Sequence, residues 1–190
     1  MNRASKKNLR HLLEVEVYAE SKNIHNPIKR YLYRFLLRHM KPETRIIYLT
    51  RKMMYHFACR GLFHRSIALY LHRKIWSESS CYISPMAIIE EGLKIPHPVG
   101  IVIGGASKLG KNVTIYQGVT IGSRHRGDYI QGKQPTVGNN VVCFSHAQIL
   151  GDITIGNDTI IGANAVVLND IPNDSISIGI PAKVLKSYQE

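Results

Sequence analysis

Acidic residues are scarce in the first half of this 190-residue chain, and cysteines number only three. No apolar run approaches the roughly 20 residues needed to span a bilayer. Each scarcity removes a class of protein. Cys59, Cys81 and Cys143 are odd in number and show no Cys-x-x-Cys spacing. That argues against a disulfide framework or a structural zinc site, so no metal is expected, and it suits a reducing compartment. The opening MNRASKKNLR runs into mixed charge, not into the apolar core of a secretory leader. The expectation is a soluble, cytoplasmic protein.

The shortage of acids is local. Residues 1–76 hold 17 Lys/Arg against four acids (Glu14, Glu16, Glu20, Glu43), whereas the remainder holds 8 against 9. The positive field therefore belongs to the N-terminal part alone. It shows neither a zinc-finger spacing nor an RNA-binding signature, so nucleic acid is not an expected partner. An anionic cofactor or an anionic membrane surface suits the field better.

What the chain has in abundance is period. From Val137 it reads VGNNVV, CFSHAQ, ILGDIT, IGNDTI, IGANAV and VLNDIP, six units of six residues. Their first residues are Val137, Cys143, Ile149, Ile155, Ile161 and Val167, all apolar. The fifth is small or apolar, with Gly, Asn and Asp at the corners between. The same phase runs upstream from Ile103, Leu109, Ile115 and Ile121, and again from Ile83, Ile89 and Ile95. A period of six predicts a parallel β-helix in which three units close one coil and the first residue of each points into the shaft.

The phase fails twice. Between Ile95 and Ile103 lie two residues too many, beside His97, and such a bulge redirects side chains. After IGSRHR at Ile121 about ten residues leave the shaft before Val137, a polar loop at about 124–136. Residues 1–77 read instead as helices. Asn26-Pro27 starts one whose Ile28, Leu32, Phe35 and Leu36 share a face, and others are expected over about 43–60 and 62–76. The predicted organisation is a helical part over 1–77 and a β-helix over 78–190.

IPHPVGIVIG, NVTIYQGVTIG, ITIGNDTIIGANAVV and GIPAKVL resemble the matching stretches of serine acetyltransferases and their hexapeptide-repeat relatives. The resemblance implies a mainly β fold, a left-handed parallel β-helix behind a small α-helical domain. It implies acetyl-CoA as co-substrate, held between the subunits of a homotrimer, with a dimer of trimers through the N-terminal helices as a further assembly. The catalytic His of the family falls on His97, where a neutral imidazole can take a hydroxyl proton during attack on the thioester. CoA contacts map to Gly122, Ser123, Ser145 and Ala163. Lys183 of GIPAK falls near the phosphates, and His146 projects toward the same cleft.

Departures from the family concentrate on the acceptor side. Tyr82 stands where the resemblance expects the Asp partner of the His, and Pro96 stands where it expects a serine-binding Asp. Lys133-Gln134 replaces an Arg-His pair. The C-terminal KSYQE also lacks the terminal Ile of the family's docking tail. An acceptor side built from Tyr82, Arg124, His125, Lys133 and Gln134 carries no matched charges for a free amino acid. It reads as a site for a saccharide, in the branch of the family that O-acetylates surface polysaccharides; serine O-acetylation for cysteine synthesis is the alternative. His97 would then need another orienting group, with a backbone carbonyl, Glu90 or Glu91 as candidates.

Overall fold

The computed structural model describes residues 5–187, so the last three residues of the KSYQE segment lie outside it. The N-terminal part holds four α-helices, α1 (Lys6–Glu16), α2 (Pro27–His39), α3 (Pro42–Ala58) and α4 (Leu62–Ser79), with a 3₁₀ turn at Ala19–Asn23. The side chain of Asn26 accepts from the backbone N–H groups of Ile28 and Lys29, and Pro27 opens α2 with the fixed φ a first turn needs. Helix α1, with its polar composition, has no counterpart among the helices expected from the sequence. The stripe of Ile28, Leu32, Phe35 and Leu36 also differs from expectation, because all four are exposed. Helix α2 packs inward through Leu37 and through Arg34, which forms a bidentate pair with Glu14 at 2.9 and 2.7 Å.

From Tyr82 the chain winds through fourteen short strands in three sheets. Sheet A stacks β1 (Tyr82–Ile83), β3 (Val102–Ile103), β6 (Thr120–Gly122), β9 (Gln148–Leu150) and β12 (Val166–Val167). Sheet B stacks β2 (Ile88–Ile89), β4 (Lys108–Leu109), β7 (Thr136–Val137) and β10 (Thr154–Ile155). Sheet C stacks β5 (Thr114–Ile115), β8 (Val142–Cys143), β11 (Ile160–Ile161), β13 (Ser175–Ile178) and β14 (Lys183–Ser187). All pairs are parallel except β13 with β14. Registers match unit for unit, Ile103 over Ile121 over Ile149 in sheet A. Every first-position residue named above is buried, and so is the fifth-position set Val141, Ala147, Ile153, Thr159, Ala165 and Ile171.

The corner between sheets B and C uses left-handed backbone at Asn112, Asn140, Asp158 and Asp174. Asn and Asp tolerate this conformation better than most residues. Here their side chains also bond along the axis, Asn112 to Asn140 at 3.1 Å and Asn140 to Asp158 at 2.9 Å. One continuous apolar core runs from Ile46, Ile47 and Met53 of α3 through Ile75 of α4 into the shaft.

The helical part is clasped to the first coil by a buried ion pair. Arg51 of α3 and Glu16 of α1 have side chains 3% and 0% exposed and bond bidentately at 2.7 and 2.5 Å. The guanidinium also donates to the carbonyls of Ile89 and Glu90, while the carboxylate accepts from the N–H groups of Gly92 and Leu93. No helix among the described residues is long and apolar enough to cross a membrane.

Candidate active site

The two extra residues after Ile95 form an outward turn at the corner between sheets C and A. Pro96 and Pro98 restrict the backbone on either side of His97. The His97 carbonyl accepts from Val99 N–H at 2.8 Å, the Val99 carbonyl from Gly118 N–H at 2.9 Å, and Gly100 N–H donates to Ser79 of α4 at 3.1 Å. A turn held at both ends presents an exposed imidazole. No hydrogen bond from another described residue reaches that ring; its one aromatic neighbour is Tyr116, with ring centroids 5.9 Å apart.

The same corner recurs down the axis. Below His97 come Tyr116 to Gly118, then Phe144, Ser145 and His146, then Gly162 to Asn164, then the segment from Gly179 to Lys183. The rungs are tied by Tyr116 N–H to the Cys143 carbonyl, Phe144 N–H to Ile161, Asn164 N–H to Ser145, and Ala182 N–H to Val166. Coils of this kind rise about 4.8 Å each, so the four steps from His97 to the GIPAK segment span about 19 Å by the same spacing. Ser145, His146, Ala163 and Lys183 therefore share one groove line with His97, with Ala163 and Lys183 exposed.

His146 adopts left-handed backbone (φ 60°) where the rung above has Gly118 (φ 69°). Its ring lies against Gly118, and a Cβ added there would fall 2.3 Å from His146 Nδ1. The imidazole thus fills space that only a glycine leaves open.

Other expected residues lie elsewhere. Gly122 and Ser123 close β6 at the corner between sheets A and B, from which the loop carrying Arg124, His125 and Lys133 departs. The loop is pinned by Asp128, whose carboxylate accepts from His125 N–H at 2.7 Å and whose carbonyl accepts from Lys133 N–H at 2.9 Å. Within one chain the loop and His97 occupy different corners of the prism, so the structure does not bring them together. Gln134 is buried and committed: its carbonyl oxygen accepts from Ala106 N–H at 2.8 Å and from Ser107 Oγ at 3.3 Å, and its amide donates to Ser123 Oγ at 2.8 Å. It ties the loop's end to the coil above. Tyr82 packs edge-on against His72 and Trp76 of α4, with centroids at 5.1 and 6.2 Å, and no bond or ring contact joins it to His97. Glu91 is held by Lys111 and His11 at 2.8 and 2.9 Å, and no hydrogen bond or ion pair joins the Glu90 carboxylate to His97, so neither residue orients that ring.

Sequence reasoning missed the aromatic column. Tyr116 and Phe144 each follow the shaft residue of their unit, in IYQGVT and CFSHAQ, and stack at 5.2 Å with 20° between planes. Two aromatics at one position of consecutive stacked units were the available signal. A cavity of about 300 Å³ between α1, α3 and the first coil is lined by Asn8, Leu12, Arg51 and Tyr55 together with Glu90 and Glu91, and by none of the residues expected to bind acceptor or CoA. Among the described residues no cluster of His, Cys, Asp and Glu is arranged to hold a metal ion.

Stacked six-residue coils with one flat face per unit define a hexapeptide-repeat β-helix. Residues 134–169 match the family described as bacterial transferase hexapeptide (six repeats), and the fold is the left-handed parallel β-helix that such repeats build. A serine acetyltransferase of Helicobacter pylori (strain J99) is 47% identical over 103 residues, covering 54% of this chain and 59% of that protein. The chain thus spans less than two thirds of that relative. A serine acetyltransferase solved in complex with CoA superposes with a TM-score of 0.72 at 28% identity, over 95% of this chain and 71% of the other. The Neisseria gonorrhoeae serine acetyltransferase solved in complex with serine gives 0.73 at 25%, over 94% and 69%.

These likenesses overturn the expected saccharide acceptor and the polysaccharide branch, since the relatives named are serine acetyltransferases. The physical reason lies in the residues used for that expectation. Gln134 and Tyr82 are engaged in packing and loop anchoring, so their identities do not report the charge of an acceptor.

Proposed function

We propose that the chain is an acetyl-CoA-dependent serine O-acetyltransferase of the kind that supplies cysteine synthesis. The observation that carries this reading is the 47% identity over 103 residues with a serine acetyltransferase. His97 is the general base: its imidazole removes the serine hydroxyl proton as the oxygen attacks the thioester carbonyl, and the imidazolium returns that proton to the departing CoA sulfur. Backbone N–H groups at the corner are the candidate donors to the oxyanion.

The continuous corner from His97 to Lys183 supports the fit of acetyl-CoA. Its two ends suit an extended thioester, with the acyl carbon beside the imidazole and the phosphates beside an exposed lysine. Ser145, His146 and Ala163 line the arm between them. Gly122, Ser123, Arg124, His125 and Lys133 lie at the next corner, so they complete the site from a neighbouring copy, as a homotrimer would arrange. A cytoplasmic setting supplies the acetyl-CoA and keeps the three thiols reduced.

The test is the release of CoA thiol on mixing the protein with serine and acetyl-CoA. Serine-dependent release that disappears in His97→Ala is the expected result. Release no faster with serine than without it would overturn the proposal.

A further inference from the structure

His97 carries no hydrogen bond to a carboxylate or to any other described group, yet a general base must hold its ring toward the hydroxyl it deprotonates. Its backbone is fixed by two prolines and the Val99 turn, which leaves χ1 and χ2 to be set by neighbours. The neighbour present is Tyr116, one coil below, tilted 54° to the imidazole. Tyr116 is itself fixed: its N–H bonds to the Cys143 carbonyl at 3.0 Å, and its ring rests on Phe144 at 5.2 Å. The column ends at Gly162, so Phe144 has no aromatic below it. The two aromatic rings form a short buttress whose upper face meets the base.

We propose that Tyr116, backed by Phe144, is a positioning residue that sets the orientation of the His97 imidazole. This rests on the reading of His97 as the base. The role belongs to the ring face, because Tyr116 contacts His97 through its ring and no bond from its hydroxyl reaches the imidazole. An aromatic buttress restrains a ring through shape and edge-to-face attraction, without lending it charge. A carboxylate partner would do both. The proposed device is therefore steric, and its removal should cost rate more than cofactor affinity.

The experiment compares Tyr116→Leu, Tyr116→Phe and Phe144→Ala in the full-length protein, each checked for wild-type assembly mass. With serine as acceptor, Tyr116→Leu should lower kcat by about 10- to 100-fold, the scale of a small misplacement of a catalytic group. The KM for acetyl-CoA should stay within about 2-fold, since the contact removed serves the reacting geometry and not cofactor binding. Tyr116→Phe should restore the rate, and Phe144→Ala should give a smaller loss in the same direction. In parallel, crystal structures of the variants should show the His97 imidazole displaced or split between rotamers in Tyr116→Leu and held in place in Tyr116→Phe. This structural arm needs no substrate, so it decides the positioning role even where serine proves not to be the acceptor. An unmoved His97 ring in folded Tyr116→Leu, or an unchanged kcat, overturns the proposal.

Discussion

Arg51 and Glu16 form a two-pronged buried ion pair, and each partner also bonds to the backbone of the first coil. The pair lies where three segments meet, α1, α3 and the loop after β2. It therefore fixes the helices to the β-helix through directional bonds as well as through the shared apolar core.

Removing one partner leaves the other charge buried and unpaired. Arg51→Ala or Glu16→Ala should each cost about 3–5 kcal/mol. The double replacement Arg51→Met/Glu16→Leu should cost less than the sum of the two single changes, because no stranded charge remains. Urea unfolding followed by circular dichroism reads both outcomes.

Gly118 and His146 are coupled through close approach. Gly118→Ala must accept a positive φ and displace the His146 ring, for a destabilisation on the order of 1–3 kcal/mol. Adding His146→Gly should recover the part caused by the contact and leave the part caused by the backbone. Thermal unfolding of the single and double variants separates the two.

His72 is held below the ordinary histidine range by burial, and its Nε2 is buried without a hydrogen-bond partner among the described residues. Its folded value is thus lower than its unfolded value. The resulting stability is present above the unfolded value and is lost as pH falls from there through the folded one. His72→Phe should flatten the stability–pH curve on the acid side of about pH 6.5, where unfolded histidines take up protons. An unchanged slope in urea titrations across that range would rule His72 out as the source.

The three thiols differ sharply in access. Cys81 and Cys143 are buried in the shaft, and burial pushes the Cys143 thiol up to about 12, whereas Cys59 is half-exposed at the end of α3. Iodoacetamide at neutral pH should therefore label Cys59 in the native protein and all three thiols after denaturation, as peptide mass spectrometry would show.

The shaft was legible because a six-residue period returns the first residue of every unit to the interior, and Val137, Cys143 and Ile149 fill that position with apolar side chains. The corner at His97 was legible for the complementary reason, since two surplus residues have nowhere to go but outward. The acceptor side was not. Gln134 reads as a polar loop residue, and only folding reveals that Ala106, Ser107 and Ser123 use up its bonding capacity. Helix α2 misled in another way, because its apolar stripe is a true helical period whose buried side is set instead by Leu37 and the Arg34–Glu14 pair. Tyr116 and Phe144 read as ordinary aromatics of their units, and their neighbourhood appears only when the coils stack.

The reversed direction of β14 has a consequence for the molecule as a material. A stack of parallel coils is an open template, since its last coil offers the same ladder of unpaired N–H and C=O groups that each coil offered the next. Another parallel-running coil arriving at sheet C would meet a strand of opposite polarity, irregular in register between Ile176 and Ser177. The evenly slanted bonding of a parallel ladder cannot continue across such an edge. At the other end α4 runs directly into β1. A fold built from endlessly repeatable units is in this way given a finite length, and end-to-end fibre growth along sheet C is blocked by the polarity of one strand.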